Sequence, residues 1–149
     1  MVKHRFKRAL EIGTSTGHSA IWIAWGLSKT GGKLVTIEID AARHAEAVKN
    51  LEEAGLAPFV DARLGDAHQL VKELPGPFDF AFSDADKDWY TQYFKDVDPK
   101  FQVGGCFTAH NVSRPGGGAA DFLDYVRTLP NYVTTVEGSS EGVSISCKR

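Results

Sequence analysis

Ala9-Leu10-Glu11-Ile12-Gly13-Thr14-Ser15-Thr16-Gly17-His18-Ser19 is the stretch on which the fold turns. A short apolar run carries an acid near its end, a turn with Gly13 and Gly17 follows, and helical periodicity begins at once. Strand, tight loop and helix N-terminus in that order hold a nucleotide-type cofactor at the carboxyl end of the first strand of an α/β sheet. Glycine at 13 and 17 lets the backbone approach a ligand where a Cβ would intrude. Twenty-one residues beyond Gly17, the run Leu34-Val35-Thr36-Ile37 ends in Glu38. A carboxylate there can accept hydrogen bonds from both hydroxyls of a ribose. Loop, helix, strand and acid at this interval are much more specific together than the glycines alone.

Working outward, apolar runs and helical periodicity keep alternating, which predicts βαβ units on a parallel sheet and a Rossmann-like α/β domain over residues 1–149. Strands are expected at about 8–12, 33–38, 59–64, 78–83 and 105–109. Helices are expected at about 18–29, 41–54, 67–74, 88–97 and after the glycine run at 116–118. The first helix would bury Ile21, Ala24, Trp25 and Ser28, and the second Ala41, Ala45 and Val48. Trp22 and Trp25 read as helix packing, and Gly55 as the glycine that ends the second helix. Gly104-Gly105 reads as the break before the fifth strand. Two last strands, about 131–137 and 142–148, are split by Gly138-Ser139-Ser140-Glu141 and should pair antiparallel.

Composition sets limits on function. A chain of 149 residues with 42% hydrophobic and 24% charged residues can bury one sizeable core. A net charge of −2 gives no field suited to bulk nucleic acid or an acidic membrane. The basic Lys3-His4-Arg5-Phe6-Lys7-Arg8 reads as a solvated lead-in to the first strand. With no recognisable signal peptide and no apolar run of membrane-spanning length, a cytoplasmic protein is expected. Cys106 and Cys147 are expected to be buried free thiols, neither a disulfide nor a zinc site.

The strand exits collect the chemistry: Glu11, Glu38, Gly65-Asp66, Asp84-Ala85-Asp86-Lys87 and His110-Asn111. Ligands of open α/β sheets bind outside those carboxyl ends. Asp84, His110 and Asn111 could ligate a divalent cation, with water or substrate oxygens completing the shell. Two rival readings compete. Gly13-Thr14-Ser15-Thr16-Gly17 fits a G-x-S-x-G nucleophile elbow followed by Asp84 and His110 in hydrolase order, but it lies at the first strand and leaves Glu11 and Glu38 unused. A nicotinamide dehydrogenase would want glycine where Ser15 stands.

The chain resembles the small class I S-adenosylmethionine-dependent O-methyltransferases of the catechol and caffeoyl-CoA type. Leu10 to Ser19 looks like their cofactor loop, Thr36-Ile37-Glu38-Ile39-Asp40 like their ribose-binding segment, and Asp84-Ala85-Asp86-Lys87 like their metal and catalytic loop. Asn111-Val112, Pro115-Gly116 and Asp121-Phe122-Leu123 are similar to the end of the fifth strand and the helix after it. The resemblance implies a seven-stranded, mostly parallel sheet with an antiparallel C-terminal pair. It implies methyl transfer from S-adenosylmethionine to a hydroxyl of a catechol-like or phenolic acceptor. Lys87 would take the proton, and Asp84 would serve both catalysis and the cofactor. Gly13 and Gly17 would line the methionine side with Ser19 nearby, Glu11 and Thr14 would also bind the cofactor, Glu38 would hold the ribose, Asp66 and Ala67 would border the adenine, and Trp89 would supply an aromatic wall.

Two departures matter. Family members usually carry helices before the first strand that shape the acceptor pocket and often a dimer contact, whereas this chain starts almost at that strand, as a fragment or a minimal variant would. They also usually carry Asp where His110 stands. An imidazole favours Zn²⁺, Mn²⁺ or Co²⁺ over Mg²⁺. A hydroxylated tRNA base remains an alternative acceptor, and a non-catalytic S-adenosylmethionine-binding remnant an alternative role.

Overall fold

Side-chain alternation along the first strand sets the layers. The computed structural model describes residues 4–110, 112, 117–138 and 142–149. In β1 (Arg8–Ile12), Ala9 packs toward one face of the sheet while Leu10 and Ile12 pack toward the other. On the Ala9 side lie α1 (His18–Thr30) and α2 (Ala41–Glu53), joined to the sheet through Ala20, Ala24, Leu27, Leu34 and Leu51. On the other side lie α3 (Ala67–Glu73), α4 (Tyr90–Val97) and α5 (Gly117–Arg127), packed around Ala81, Phe94, Phe107 and Phe122. Removing each such Leu or Phe side chain from water contributes about 1.5–3 kcal/mol.

The remaining strands are β2 (Lys33–Glu38), β3 (Val60–Leu64), β4 (Phe78–Ser83), β5 (Phe101–His110), β6 (Tyr132–Glu137) and β7 (Val143–Lys148). They form a seven-stranded sheet in the order β3-β2-β1-β4-β5-β7-β6. Strands β1 to β5 run parallel, and β7 pairs antiparallel with both β5 and β6. The chain winds outward from β1 through β2 to β3, then returns to place β4 on the other side of β1. That reversal opens a crevice at the carboxyl ends of β1 and β4. No helix among the described residues is long and apolar enough to cross a membrane.

Four expectations need correction. The buried stripe of α1 is Ala20, Ile23, Ala24 and Leu27, while Trp22 is 64% and Trp25 50% exposed. The expected and observed stripes both fit the helical period and differ by a one-residue rotation. The alanines let α1 lie close to the sheet, and the two indoles meet edge to face on its outer side. In α2 the buried residues are Ala47 and Leu51, and Ala41 and Ala45 face water. Strand β5 begins at Phe101, because Gly104-Gly105 sits within it at a register shift rather than ahead of it. A φ of +90° at Gly104 supplies the local bend.

The cysteines are the fourth. Cys106 and Cys147 form a disulfide. They are isolated in sequence, but the antiparallel register of β5 on β7 sets them directly opposite, with Cα atoms 4.1 Å apart. Strand pairing, invisible in their spacing, overturns the free-thiol expectation.

Candidate active site

The loop after β1 is shaped by close approach from both sides. The N–H groups of Gly13 and Thr14 both donate to Ile37 O at 3.0 Å, tying the loop to the end of β2. A Cβ on Gly13 would stand 2.7 Å from Ala85 Cβ and 3.1 Å from Asp84 O, at a φ of +98°. Only glycine lets the two loops touch there. Gly17 caps α1 at φ +93°, and a Cβ on it would meet Ala47 Cα at 3.2 Å. Asn50 of α2 donates from Nδ2 to Thr16 O at 2.8 Å, so α2 holds the far side of the loop.

Two carboxylates stand behind this backbone. Glu38 ends β2, accepting the Ser15 N–H at 2.7 Å on Oε1 and the Asp40 N–H at 3.0 Å on Oε2. A carboxylate has about four lone-pair sites, so each oxygen can accept one more bond from a ligand hydroxyl. Glu11 is fully buried. The Ser19 hydroxyl donates to one of its oxygens and the Thr36 hydroxyl to the other, at 2.7 Å for Thr36. Thr14 Oγ1 lies 2.5 Å from Thr36 Oγ1 and extends the chain. Burial pushes the Glu11 carboxyl up to about 7; the two hydroxyls pull it down, and the nearby Asp84 and Glu38 charges push it further up. Through these bonds Glu11 ties the start of α1 to β2 behind the loop.

An open cleft runs along the carboxyl ends of β1 to β4. Of the residues expected at the cofactor, Gly13, Glu38, Asp66 and Ala67 line it. Glu11, Thr14, Gly17, Ser19, Asp84 and Trp89 do not contribute to that lining. Ile39, His68 and Tyr93 line it unforeseen. Ile39 had a signal: it follows Glu38 directly and is apolar yet 69% exposed. Trp89 lies with its ring against His68, centroids 3.6 Å apart and planes 12° from parallel. The imidazole, rather than the indole, thus faces the cleft. Asp66 caps α3, accepting the His68 N–H at 2.9 Å.

At the neighbouring exits, Asp84 follows β4 and His110 ends β5. His110 Nδ1 and Asp84 Oδ1 are 3.1 Å apart, each side chain about one-third exposed, at 33% and 35%. Tyr90 donates its hydroxyl to His110 O at 3.0 Å, which steadies the strand end. Burial pushes the Tyr90 phenol well above its usual range, so it stays a donor. The Lys87 ammonium sits 5.8 Å from the Tyr90 ring centroid. Asn111, the third expected metal ligand, lies outside the described residues. Among the described residues no group of three or more His, Cys, Asp or Glu side chains is placed to hold a metal ion. Ser15 has a left-handed backbone, at φ +51°, as an elbow serine would. Its amide is committed to Glu38, however, and no hydrogen bond among the described residues joins it to His110.

Comparison with known proteins agrees with this geometry. A family model described as O-methyltransferase matches residues 3–124. A catechol O-methyltransferase of Niastella koreensis is 45% identical over 114 residues, covering 74% of this chain and 51% of that protein. The corresponding enzyme of Mycobacterium tuberculosis is 38% identical over 120 residues, covering 79% of this chain and 54% of that protein. The chain thus spans about half the length of the curated relatives it matches. An O-methyltransferase from Bacillus cereus, solved in complex with SAH, superposes with a TM-score of 0.92 at 27% identity, covering 99% of this chain and 76% of that one. The chain belongs to the O-methyltransferase family.

Proposed function

We propose that the cleft binds S-adenosylmethionine and that the protein transfers its methyl group to a hydroxyl of a small catechol-like or phenolic acceptor. The observation that carries this reading is Glu38: a buried carboxylate at the end of β2, held by two backbone amides and lining a cleft floored by Gly13. That is where a ribose diol is read in a sheet of this topology. The relatives' names, catechol O-methyltransferase and caffeoyl-CoA O-methyltransferase, support the acceptor class.

In-line methyl transfer depends on alignment and on a deprotonated acceptor. The Gly13–Gly17 loop and Glu38 would fix the cofactor, and Lys87, beside the Asp84 exit, would take the acceptor's proton. The contact between Asp84 and His110 supports the reading that both would hold a divalent cation there, with Asn111 as the expected third ligand. Bound there, such a cation would lower the acceptor's pKa and orient it. The imidazole nitrogen suits Zn²⁺, Mn²⁺ or Co²⁺ better than Mg²⁺.

The Nδ1–Oδ1 contact also favours a metal-free reading, in which Asp84 orients His110 and the imidazole accepts the proton itself. A methyl-transfer assay on catechol, run with and without chelator and with each ion restored, tests both. Turnover that stops with chelator and returns best with Mn²⁺, Zn²⁺ or Co²⁺ supports the metal site. Undiminished turnover in excess chelator supports the dyad. Absence of methyl transfer to any phenolic acceptor contradicts the proposed activity.

A further inference from the structure

We infer that His68 is a positioning residue that locks the β4–α4 loop in the conformation presenting Lys87. Lys87 falls between two residues that His68 holds. On one side, His68 Nε2 lies 2.5 Å from Asp86 Oδ2. On the other, the His68 ring is stacked on Trp89 at 3.6 Å, with Tyr93 beyond it at 5.9 Å. The Trp89 N–H donates back to Asp86 O at 2.8 Å, closing a short turn around Lys87 and Asp88. His68 itself is anchored through its amide to Asp66, so the hold on the loop comes from a separate element, α3.

Backbone geometry explains why the loop needs holding. Asp86 is not glycine yet adopts φ +54°. Such a conformation persists only where surrounding contacts over-determine it, and it gathers at functional sites. The Asp86 side chain accepts from His68, which supplies that constraint. Without the imidazole, Asp86 would lose its tether and Trp89 its stacking partner, so the segment carrying Lys87 would relax away. His68 also lines the cleft, so one side chain joins the cofactor wall to the proton-accepting loop. The part assigned to Lys87 rests on the function proposed above; the lock on the loop does not.

The test compares His68→Ala, Asp86→Ala and the double variant with the unmodified chain. Each single variant should lower kcat by about 10- to 100-fold, because a displaced catalytic group loses alignment. The double variant should fall no further than either single one, as expected for two residues acting as a unit. His68 and Asp86 both line the cleft, so S-adenosylhomocysteine affinity should fall as well, and the kcat loss is read at saturating S-adenosylmethionine. His68→Gln, which keeps a donor toward Asp86, should recover part of the loss. In a Trp22→Phe/Trp25→Phe background, Trp89 emission should become more open to acrylamide quenching when His68 is removed. Trypsin should also cut faster after Lys87. An unchanged kcat with weakened S-adenosylhomocysteine binding would make His68 a cofactor wall only and overturn the inference. Multiplying single effects would overturn it as well. If the unmodified chain shows no turnover, the proposed function fails, and the quenching and trypsin comparisons still decide whether His68 holds the loop: unchanged rates in His68→Ala refute the lock.

Discussion

At the exits of β1 and β2 the cleft is made largely of backbone, whereas at the exits of β4 and β5 it is made of side chains. On the first side, Gly13 and Gly17 take positive φ, amides of Gly13 and Thr14 bind Ile37 O, and amides of Ser15 and Asp40 fix Glu38. On the second, Asp84 faces His110, Lys87 lies over Tyr90, and Asp86 depends on His68. A backbone-built surface is rigid and reads features common to every cofactor molecule. A side-chain-built surface can change its chemistry by single substitutions. Under the proposed function, the first half would hold the fixed cofactor and the second the variable acceptor.

Substitutions can break this comparison. The largest effect should follow Lys87→Met. Turnover should fall by about 10²- to 10⁴-fold, the usual contribution of a general base, with S-adenosylhomocysteine affinity nearly unchanged by calorimetry. Full activity across pH would reduce Lys87 to a solvated loop charge and erase the division between the halves.

Next comes Glu11→Gln, which asks whether the cofactor half stores instability. The Glu11 carboxyl is raised from 4.5 to about 7 in the folded chain, so folding favours its protonated form. The stability this contributes is complete below about pH 4.5 and is lost as pH rises through about 7. Gln carries no charge at any pH. It should therefore match the natural chain near pH 4 and exceed it above pH 7, by up to about 3 kcal/mol. Urea unfolding at both pH values measures this, and a pH-independent difference would refute the buried, raised carboxyl.

A smaller effect is expected for Glu38→Ala. Losing charge-assisted contacts to the ribose should weaken S-adenosylmethionine binding by about 1.5–3 kcal/mol, while kcat at saturating cofactor changes little. Equal losses in affinity and kcat would show that the two halves are not separable.

The same contrast explains what the sequence could and could not reveal. Local signals were legible: the loop glycines, the acid at the end of β2, Gly55 after α2 and the alternation of strands and helices. Each depends on residues close in the chain. Three things were not legible because they depend on distant packing. The rotation of α1 that leaves Trp22 and Trp25 outside was decided by how closely alanines let the helix approach the sheet. The Cys106–Cys147 bond was decided by strand register. His68 carried no motif, and its meeting with Asp86 and Trp89 required α3 and the β4–α4 loop to close on each other.

The central claim is that the cleft between Gly13, Glu38 and Asp66 is a site for S-adenosylmethionine. Calorimetric titration of the unmodified chain with S-adenosylhomocysteine, and in parallel with NAD, tests it most directly. The account predicts one saturable site per chain for S-adenosylhomocysteine, weakened in Glu38→Ala, and no binding of NAD. Tight NAD binding, or S-adenosylhomocysteine affinity unaltered by Glu38→Ala, would contradict it.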